Sequence, residues 1–493
     1  MAQASGGSLD RSMARAVAWN AAARWGSQVI SWSSTILVAR LLTPYDYGVM
    51  GMAGLYLNLA MLISQTGIGD AVIALRDLNS RQIAELNTVS LFIGAALAAL
   101  SCAVAFPFAH FFSSPPLAAI VIIASITYLI SAFPVVPRAL LQRELRFKLL
   151  ASIETARALF QTLAIVLFAW LKFRYWSLLI GYIIGCATTA ILTCYFKRHE
   201  FAFPRFTQLR RELKFTRHVM LSGIAWYSYD NSDFGVAGRV LGSNALGNYS
   251  VAWTISSAPI EKIGNLVTGV TPAFFSAIQT DKAELRRYVL RLTEILSFAT
   301  VPASIGLALA ADYLVPVLLG PKWMGVIGPL RWLGLLVAAR SVGTILPKLL
   351  TSIGDARFVM WVTVGAAILM PIAFLGGSHW GPEGIAAAWV IGYPVIAAPL
   401  YYRVFQKTGM RLREYVSAIS PALTASLIMA VVVLLIRFAL PKTASHVVTL
   451  SLIVISGGLS YIAALFALHR QRVTQVLRSA RSMFRPQGGS QVA

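Results

Sequence analysis

The chain has 493 residues, 57% apolar and only 12% charged, about half the roughly 25% charge of an average soluble domain. So little polar surface excludes a soluble globular enzyme of this size, and equally a disordered or fibrous chain; the mean hydropathy of +0.69 agrees. What remains is an all-α polytopic membrane protein. The net charge of +23 would point to nucleic acid on a soluble chain. Here it reads as orientation, because cytoplasmic loops collect Lys and Arg, and no nucleic-acid partner is expected.

At the N-terminus the first ten residues are polar. The apolar stretch that follows is long, is interrupted by Arg24 and lacks a small-residue cleavage site, so no cleavable signal peptide is expected. A spanning helix needs about 20 mostly apolar residues. Fourteen stretches qualify in chain order: 17–39, 47–66, 83–109, 116–137, 150–171, 175–196, 218–238, 246–272, 291–311, 325–346, 358–376, 384–402, 416–437 and 447–468. Spans 1 and 7 are the least apolar.

Seven of the 42 basic residues fall on the outward side with the N-terminus placed inside: Arg40, Lys172, Arg174, Arg239, Lys322, Arg437 and Lys442. Four lie within spans: Arg24, Arg157, Lys262 and Arg331. The other 31 count with the inward segments. This asymmetry predicts both termini in the cytoplasm. Outward loops are short, with no room for a catalytic domain. The inward loop Lys197–Arg217 carries seven basic residues, a topology signal and a contact for anionic lipid head groups.

Two short motifs recur. Arg40-Leu-Leu-Thr-Pro-Tyr-Asp-Tyr-Gly48 follows span 1, and Arg239-Val-Leu-Gly-Ser-Asn-Ala-Leu-Gly247 follows span 7. Pro137-Arg-Ala-Leu before Arg146-Phe147 is matched by Pro347-Lys-Leu-Leu before Arg357-Phe358. A period of six spans relates two lobes of the same orientation, a parallel repeat around a central cavity. The expected domains are an N-lobe at 1–200, a C-lobe at 201–406, and two further helices with a basic tail at 407–493.

Polar residues at membrane depth mark the candidate site. Span 1 aligns Asn20, Arg24, Ser27, Gln28, Ser31, Ser34 and Thr35 on one helical stripe, a face lipid would not tolerate. Span 7 aligns Ser222, Trp226, Tyr229 or Asp230, and Asp233; shifting by the repeat offset of 199 superposes Ser31 on Asp230 and Ser34 on Asp233. Both spans are expected to line the cavity. Arg24, about 10 Å into its helix, is either a cation for a phosphate or an arginine snorkelling to the inner head groups. Asp230, about 18 Å deep, serves proton or sodium coupling or sugar hydrogen bonds; the alternative is a helix contact to Tyr227 or Tyr229. Asp233 is a second coupling candidate, nearer the outer surface. Lys262, beside Glu261, is a candidate cation for an anionic substrate or a member of a structural salt bridge. Arg331 and Arg157 read as interface anchors, and Arg40 and Arg239 as caps for helix C-termini.

The remaining chemistry is sparse. No phosphate-binding loop, dinucleotide fingerprint or Gly-x-Ser-x-Gly occurs, the six histidines form no close pair, and Cys102, Cys186 and Cys194 read as small apolar residues. Catalytic residues, metal and cofactor are expected to be absent, and transport is driven by a gradient of H+ or Na+ or by mass action.

Ala39-Arg-Leu-Leu-Thr-Pro-Tyr-Asp-Tyr-Gly48, Gln65-Thr-Gly-Ile-Gly69, Leu141-Gln-Arg-Glu-Leu-Arg-Phe147 and Pro272-Ala-Phe-Phe-Ser276, followed by Asp281, Leu285 and Tyr288, together resemble one group. It is the Wzx-type bacterial polysaccharide flippases, near the colanic acid and succinoglycan exporters of the multidrug/oligosaccharidyl-lipid/polysaccharide exporter superfamily. The resemblance spans roughly residues 12–410. It implies a twelve-plus-two helix plan in the bacterial inner membrane. It also implies an undecaprenyl-pyrophosphate-linked oligosaccharide as substrate, for exopolysaccharide or lipopolysaccharide assembly. Arg24 and Lys262, with Arg331 behind them, are the positions it matches to the diphosphate, and Asp230 to an acidic coupling site. A polysaccharide polymerase and chain-length or export proteins are implied partners. The competing readings are a cation-coupled drug or metabolite exporter of the same superfamily, a peptidoglycan-precursor flippase, and a membrane glycosyltransferase or polymerase.

Overall fold

The structure, a computed structural model, describes residues 36–65, 67–75, 77–205, 210–268, 275, 278–279, 281–441 and 445–484. Every regular element among them is helical. Ten stretches of the described chain are long and apolar enough to cross a membrane, one of them the 53-residue run Ala356–Thr408. That run folds back on itself. α-Helical structure gives way to a short 3-10 turn at Ser378–Trp380, and Gly381 takes a φ of +69° that a side chain would resist. The two arms then pack so closely that a Cβ on Gly377 would meet the Gly384 backbone.

The described chain forms two compact units. One takes in residues up to Asp46, Ala60–Ala109 and Pro115–Met220; the other takes in Tyr47–Leu59, His110–Ser114 and Leu221 onward.

Helix α1 (Pro44–Gln65), whose residues Tyr47–Leu59 belong to the second unit, starts in the first unit on a strong local signal. The Thr43 amide and hydroxyl both donate to Asp46 Oδ2, at 3.0 and 2.6 Å, and Pro44 opens the first turn. A short α2 (Ile68–Ala74) leads to α3 (Ser80–Phe111). The span predicted at 116–137 is broken into three pieces, α4 (Pro116–Ala124), α5 (Ile126–Ala132) and α6 (Val135–Arg143), with the second break at Pro134. α7 (Phe147–Trp170) and α8 (Tyr175–Phe196) complete the set. A buried apolar cluster joins α2, α3 and α6 through Ile68, Val72, Ile83, Leu86, Val89, Val136 and neighbours. The chain after α8 runs along the start of α3: the Ala202 amide donates to the Ala84 carbonyl at 3.3 Å, and Asn87 Nδ2 donates to the Glu200 carbonyl at 3.2 Å.

The second unit is built on α9 (Arg210–Val236), of which residues from Leu221 belong here, and α10 (Gly242–Thr268), joined by a π-helical turn at Ala237–Leu241. Predicted span 7 (218–238) falls on α9 and the turn after it, and the described part of predicted span 8 (246–272) falls on α10. Both are too polar to count among the ten apolar stretches. α11 (Lys282–Leu318) is capped by Asp281, which accepts from the Ala283 and Glu284 amides at 2.9 and 3.0 Å. α12 (Ile327–Gly343) and a short α13 (Ile345–Ser352) precede the pair α14 (Ala356–Gly377) and α15 (Gly381–Thr408). Leu285, Val289, Leu346, Leu349, Val404 and Tyr415 form one core of this unit. The last helices, α16 (Leu412–Ala439) and α17 (His446–Phe484), pack on α11 through Ala310, Ala425, Met429, Ile453 and Leu465. α11 and α17 both run well past the apolar stretches that predicted them.

Candidate functional site

A cluster of charged and aromatic side chains lies in the second unit, where α9, α10, α12 and α15 meet. Asp230 of α9 is ion-paired with Arg340 in the last turn of α12. The helix C-terminus favours a cation at that place. The guanidinium carbon lies over two indole rings, 4.8 Å from the Trp253 centroid on α10 and 5.2 Å from that of Trp389 on α15. Each such cation–aromatic contact contributes about 1–2 kcal/mol when partly desolvated.

One turn further along α9, Asp233 is fully buried. A buried carboxylate is tolerated only when its oxygens are satisfied. Here Tyr249 Oη donates to Oδ2 at 2.5 Å, Trp389 Nε1 donates to the same oxygen at 2.8 Å, and the Phe234 amide donates to Oδ1 at 2.9 Å. The rings around the two acids form a continuous cluster: Trp253–Trp389 centroids are 5.6 Å apart, Phe374–Trp389 5.2 Å, Tyr229–Trp389 5.9 Å and Phe234–Tyr249 5.5 Å. On another face of α9, Tyr227 Oη donates to the Leu55 carbonyl at 3.1 Å.

The two acids differ in kind. Asp233 is locked by three donors and sealed. Asp230 and Arg340 keep 17% and 20% of their side chains exposed. Arginine has five N–H donors, and among the described residues the only hydrogen-bond acceptor of this side chain is Asp230. The arrangement can hold an anion beside a fixed, stacked cation. Among the described residues no group of His, Cys, Asp and Glu could hold a metal ion.

The structure brings the predicted Asp230 and Asp233 together in one cluster. Asp230 finds its partner in Arg340, not in Tyr227 or Tyr229. Arg340, which the sequence reading did not single out, stands inside a membrane-length helix and pairs with an acid 110 residues away. Its position within 325–346 was the available signal. Trp253, Tyr249 and Trp389 carried none, since aromatic residues at helical spacing read as packing. Arg331, on α12 but about 13 Å along the helix from Arg340, is ion-paired with Asp312, which also accepts from Arg437 Nη2 at 2.6 Å. Arg157 donates to Glu154 at 2.8 Å and to Gln161 at 2.9 Å. Arg239, read as a helix cap, reaches instead to Ser113 Oγ at 3.2 Å and lies over the Phe111 ring. Asn20, Arg24, Gln28 and Ser31 lie outside the described residues. Lys262 falls on α10, with its side chain outside the described part.

The family described as polysaccharide biosynthesis protein matches residues 37–328. Over 487 residues the chain is 23% identical to the succinoglycan biosynthesis transport protein ExoT of Rhizobium meliloti (strain 1021), covering 96% of each chain. Over 390 residues it is 24% identical to the lipopolysaccharide biosynthesis protein WzxC of Escherichia coli (strain K12), covering 77% of this chain and 78% of that one. Among solved structures, the lipid II flippase MurJ in an inward closed conformation matches with a TM-score of 0.76. That match covers 92% of this chain and 99% of the other at 15% identity, a likeness of fold.

Proposed function

The chain belongs to the polysaccharide biosynthesis protein family, whose match covers more than half of it, and from that premise we propose that it is a flippase for lipid-linked oligosaccharides. The substrate is an undecaprenyl-pyrophosphate-linked repeat unit, moved from the inner to the outer leaflet of the bacterial inner membrane for surface polysaccharide assembly. The observation that carries this reading is the charged pair Asp230–Arg340, held among aromatic rings where α9 and α10, too polar to count as apolar spans, meet the apolar helices α12 and α15. Ionisable residues at membrane depth mark a polar path for substrate or ion.

In this reading fourteen helices cross the membrane as a parallel six-helix repeat plus two, with both termini cytoplasmic. The sugar and diphosphate cross by alternating access along a polar path lined by spans 1 and 7, while the prenyl tail stays in the bilayer. Asn20, Gln28 and Ser31 line that path. Arg24 and Lys262 meet the diphosphate, with Arg331 towards the outer side. Asp230, the partly exposed acid of the two, is the candidate for H+ or Na+ coupling, with the sealed Asp233 beside it holding the aromatic cluster. A polysaccharide polymerase and export proteins receive the product.

The test is mass spectrometry of lipid-linked oligosaccharides from cells with and without the gene. Build-up of a complete undecaprenyl-diphosphate repeat unit with loss of surface polysaccharide is the expected result. An unchanged lipid pool with normal polysaccharide overturns the reading in favour of drug or metabolite export.

A further inference from the structure

Arg340 combines a restrained geometry with unused bonding capacity. Its guanidinium plane is supported by Trp253 and Trp389, and the Trp389 ring is itself pinned, because its Nε1 donates to Asp233 at 2.8 Å. The sealed Asp233 cluster therefore holds the platform on which the cation rests. The entropy of ordering a long side chain is already spent before any ligand arrives. Among the described residues one hydrogen-bond acceptor, Asp230, meets the cation, and both partners stay partly exposed. None of the Arg340 nitrogens is sealed away without a partner. A carboxylate and a phosphate present similar acceptor oxygens to a guanidinium, and phosphate offers more charge and a bidentate fit.

We propose that Arg340 is an anion-binding residue whose resident counter-ion, Asp230, gives way to a phosphate group of the transported lipid carrier. The identity of that carrier rests on the flippase reading above. The two acids of α9 then divide the work. Asp233 fixes the aromatic platform and stays paired throughout. Asp230 neutralises Arg340 when the site is empty and leaves when the anion enters, so that the cation is never left bare in the low-dielectric interior. Arg340 thereby joins Arg24 and Lys262 as a cation for the diphosphate, placed on α12 where the sequence alone drew no attention to it.

The test uses the purified full-length protein in detergent with three probes: a short-chain prenyl diphosphate, inorganic pyrophosphate and phosphatidylglycerol. Arg340→Ala is expected to weaken prenyl diphosphate binding at least tenfold. Arg340→Lys falls between it and the unaltered protein, since lysine keeps the charge without the planar fork. Asp230→Asn removes the competitor and binds at least as tightly as the unaltered protein. The charge-exchanged double variant, Asp230→Arg with Arg340→Asp, does not regain binding.

Unchanged binding in Arg340→Ala overturns the proposal, and so does recovery in the charge-exchanged variant, which is the mark of a purely structural ion pair. Phosphatidylglycerol competing as well as the prenyl diphosphate overturns the assignment to the carrier. Pyrophosphate binding that depends on Arg340 supports it. If Arg340→Ala does not yield folded protein, Asp230→Asn decides: affinity kept or raised supports exchange, and a tenfold loss refutes it. The cell-based lipid analysis is independent of these arms, so a failed anion site and a failed flippase reading give different results.

Discussion

Gly48 of α1 packs directly on the backbone of Ser243 at the start of α10, so closely that a Cβ at position 48 would overlap the Ser243 carbonyl. The two residues belong to the two copies of the repeated motif, Arg40–Gly48 and Arg239–Gly247. The contact continues with Gly51 against Leu246, Met52 Sδ 4.0 Å from Ser243 Oγ, and Gly238 against Met52 and Phe112.

A seam of this kind has to part if these helix ends separate during transport. Replacing Met52 and Ser243 together by cysteine is expected to give a disulfide under mild oxidation that blocks polysaccharide export, with export restored by reductant. Full export in the oxidised, cross-linked protein, verified by mass shift, rules out movement at this seam. Gly48→Val tests the same contact by overpacking, at a cost of about 1–3 kcal/mol. It is expected to lower the melting temperature of the purified protein.

The seam and the site differ in how far they can be read from residues alone. Polar periodicity in span 7 located Asp230 and Asp233, because a carboxylate in an apolar stretch is rare and helical spacing fixes its face. Gly48 and Gly247 stood out as matched positions, yet nothing local says that Gly48 touches Ser243. Arg340 is not legible in this way, because a cation six residues from the end of a span is indistinguishable from one of the basic residues that flank spans. Its meaning depends on three partners, Asp230, Trp253 and Trp389, on three other helices. Helix ends were misplaced for a similar reason. Hydropathy marks the apolar stretch, whereas α11 continues through charged turns because its cap at Asp281 and its packing favour it.

Asp233 should act as a structural keystone of the aromatic cluster. Asp233→Ala removes the acceptor for Tyr249 Oη and Trp389 Nε1 and leaves two buried donors unsatisfied, at about 1–3 kcal/mol each. Tyr249→Phe deletes a single donor and should cost about 1–2 kcal/mol. Thermal unfolding in detergent is expected to rank Asp233→Ala well below Tyr249→Phe, and Tyr249→Phe below the unaltered protein. An unshifted midpoint for Asp233→Ala contradicts this account.

Asp312 holds two arginines at once, Arg331 of α12 and Arg437 of α16. Arg331 is half exposed, so Arg331→Ala should cost no more than about 1 kcal/mol. Arg437 is better enclosed, donates also to the Leu309 carbonyl at 3.0 Å and lies 5.3 Å from the Tyr313 ring centroid. Its loss should cost more. Asp312→Ala leaves both cations facing each other and should be the worst of the three. Adding Arg437→Met to Asp312→Ala should then recover part of the loss, a coupling that independent sites do not show. Additive melting shifts argue against the triad.

The last prediction concerns the start of α1. Thr43 and Asp46 satisfy each other's backbone: Asp46 Oδ2 accepts from the Thr43 amide, and Thr43 Oγ1 accepts from the Asp46 amide at 3.4 Å. Arg174 Nε stands 3.5 Å from Asp46 Oδ1 and its guanidinium lies 5.6 Å from the Tyr45 ring centroid. The motif Thr43-Pro-Tyr-Asp46 thus encodes a helix start and the anchor for the turn before α8. Asp46→Ala loses the cap and the ion pair together, and should cost about 1–2 kcal/mol. Asp46→Asn keeps an acceptor for the cap and loses mainly the charge, so it should cost less. Arg174→Ala should cost least, because the arginine is largely exposed. Melting temperatures in that order support a cap-dominated role; equal shifts for Asp46→Asn and Asp46→Ala show that the ion pair, not the cap, holds the helix start.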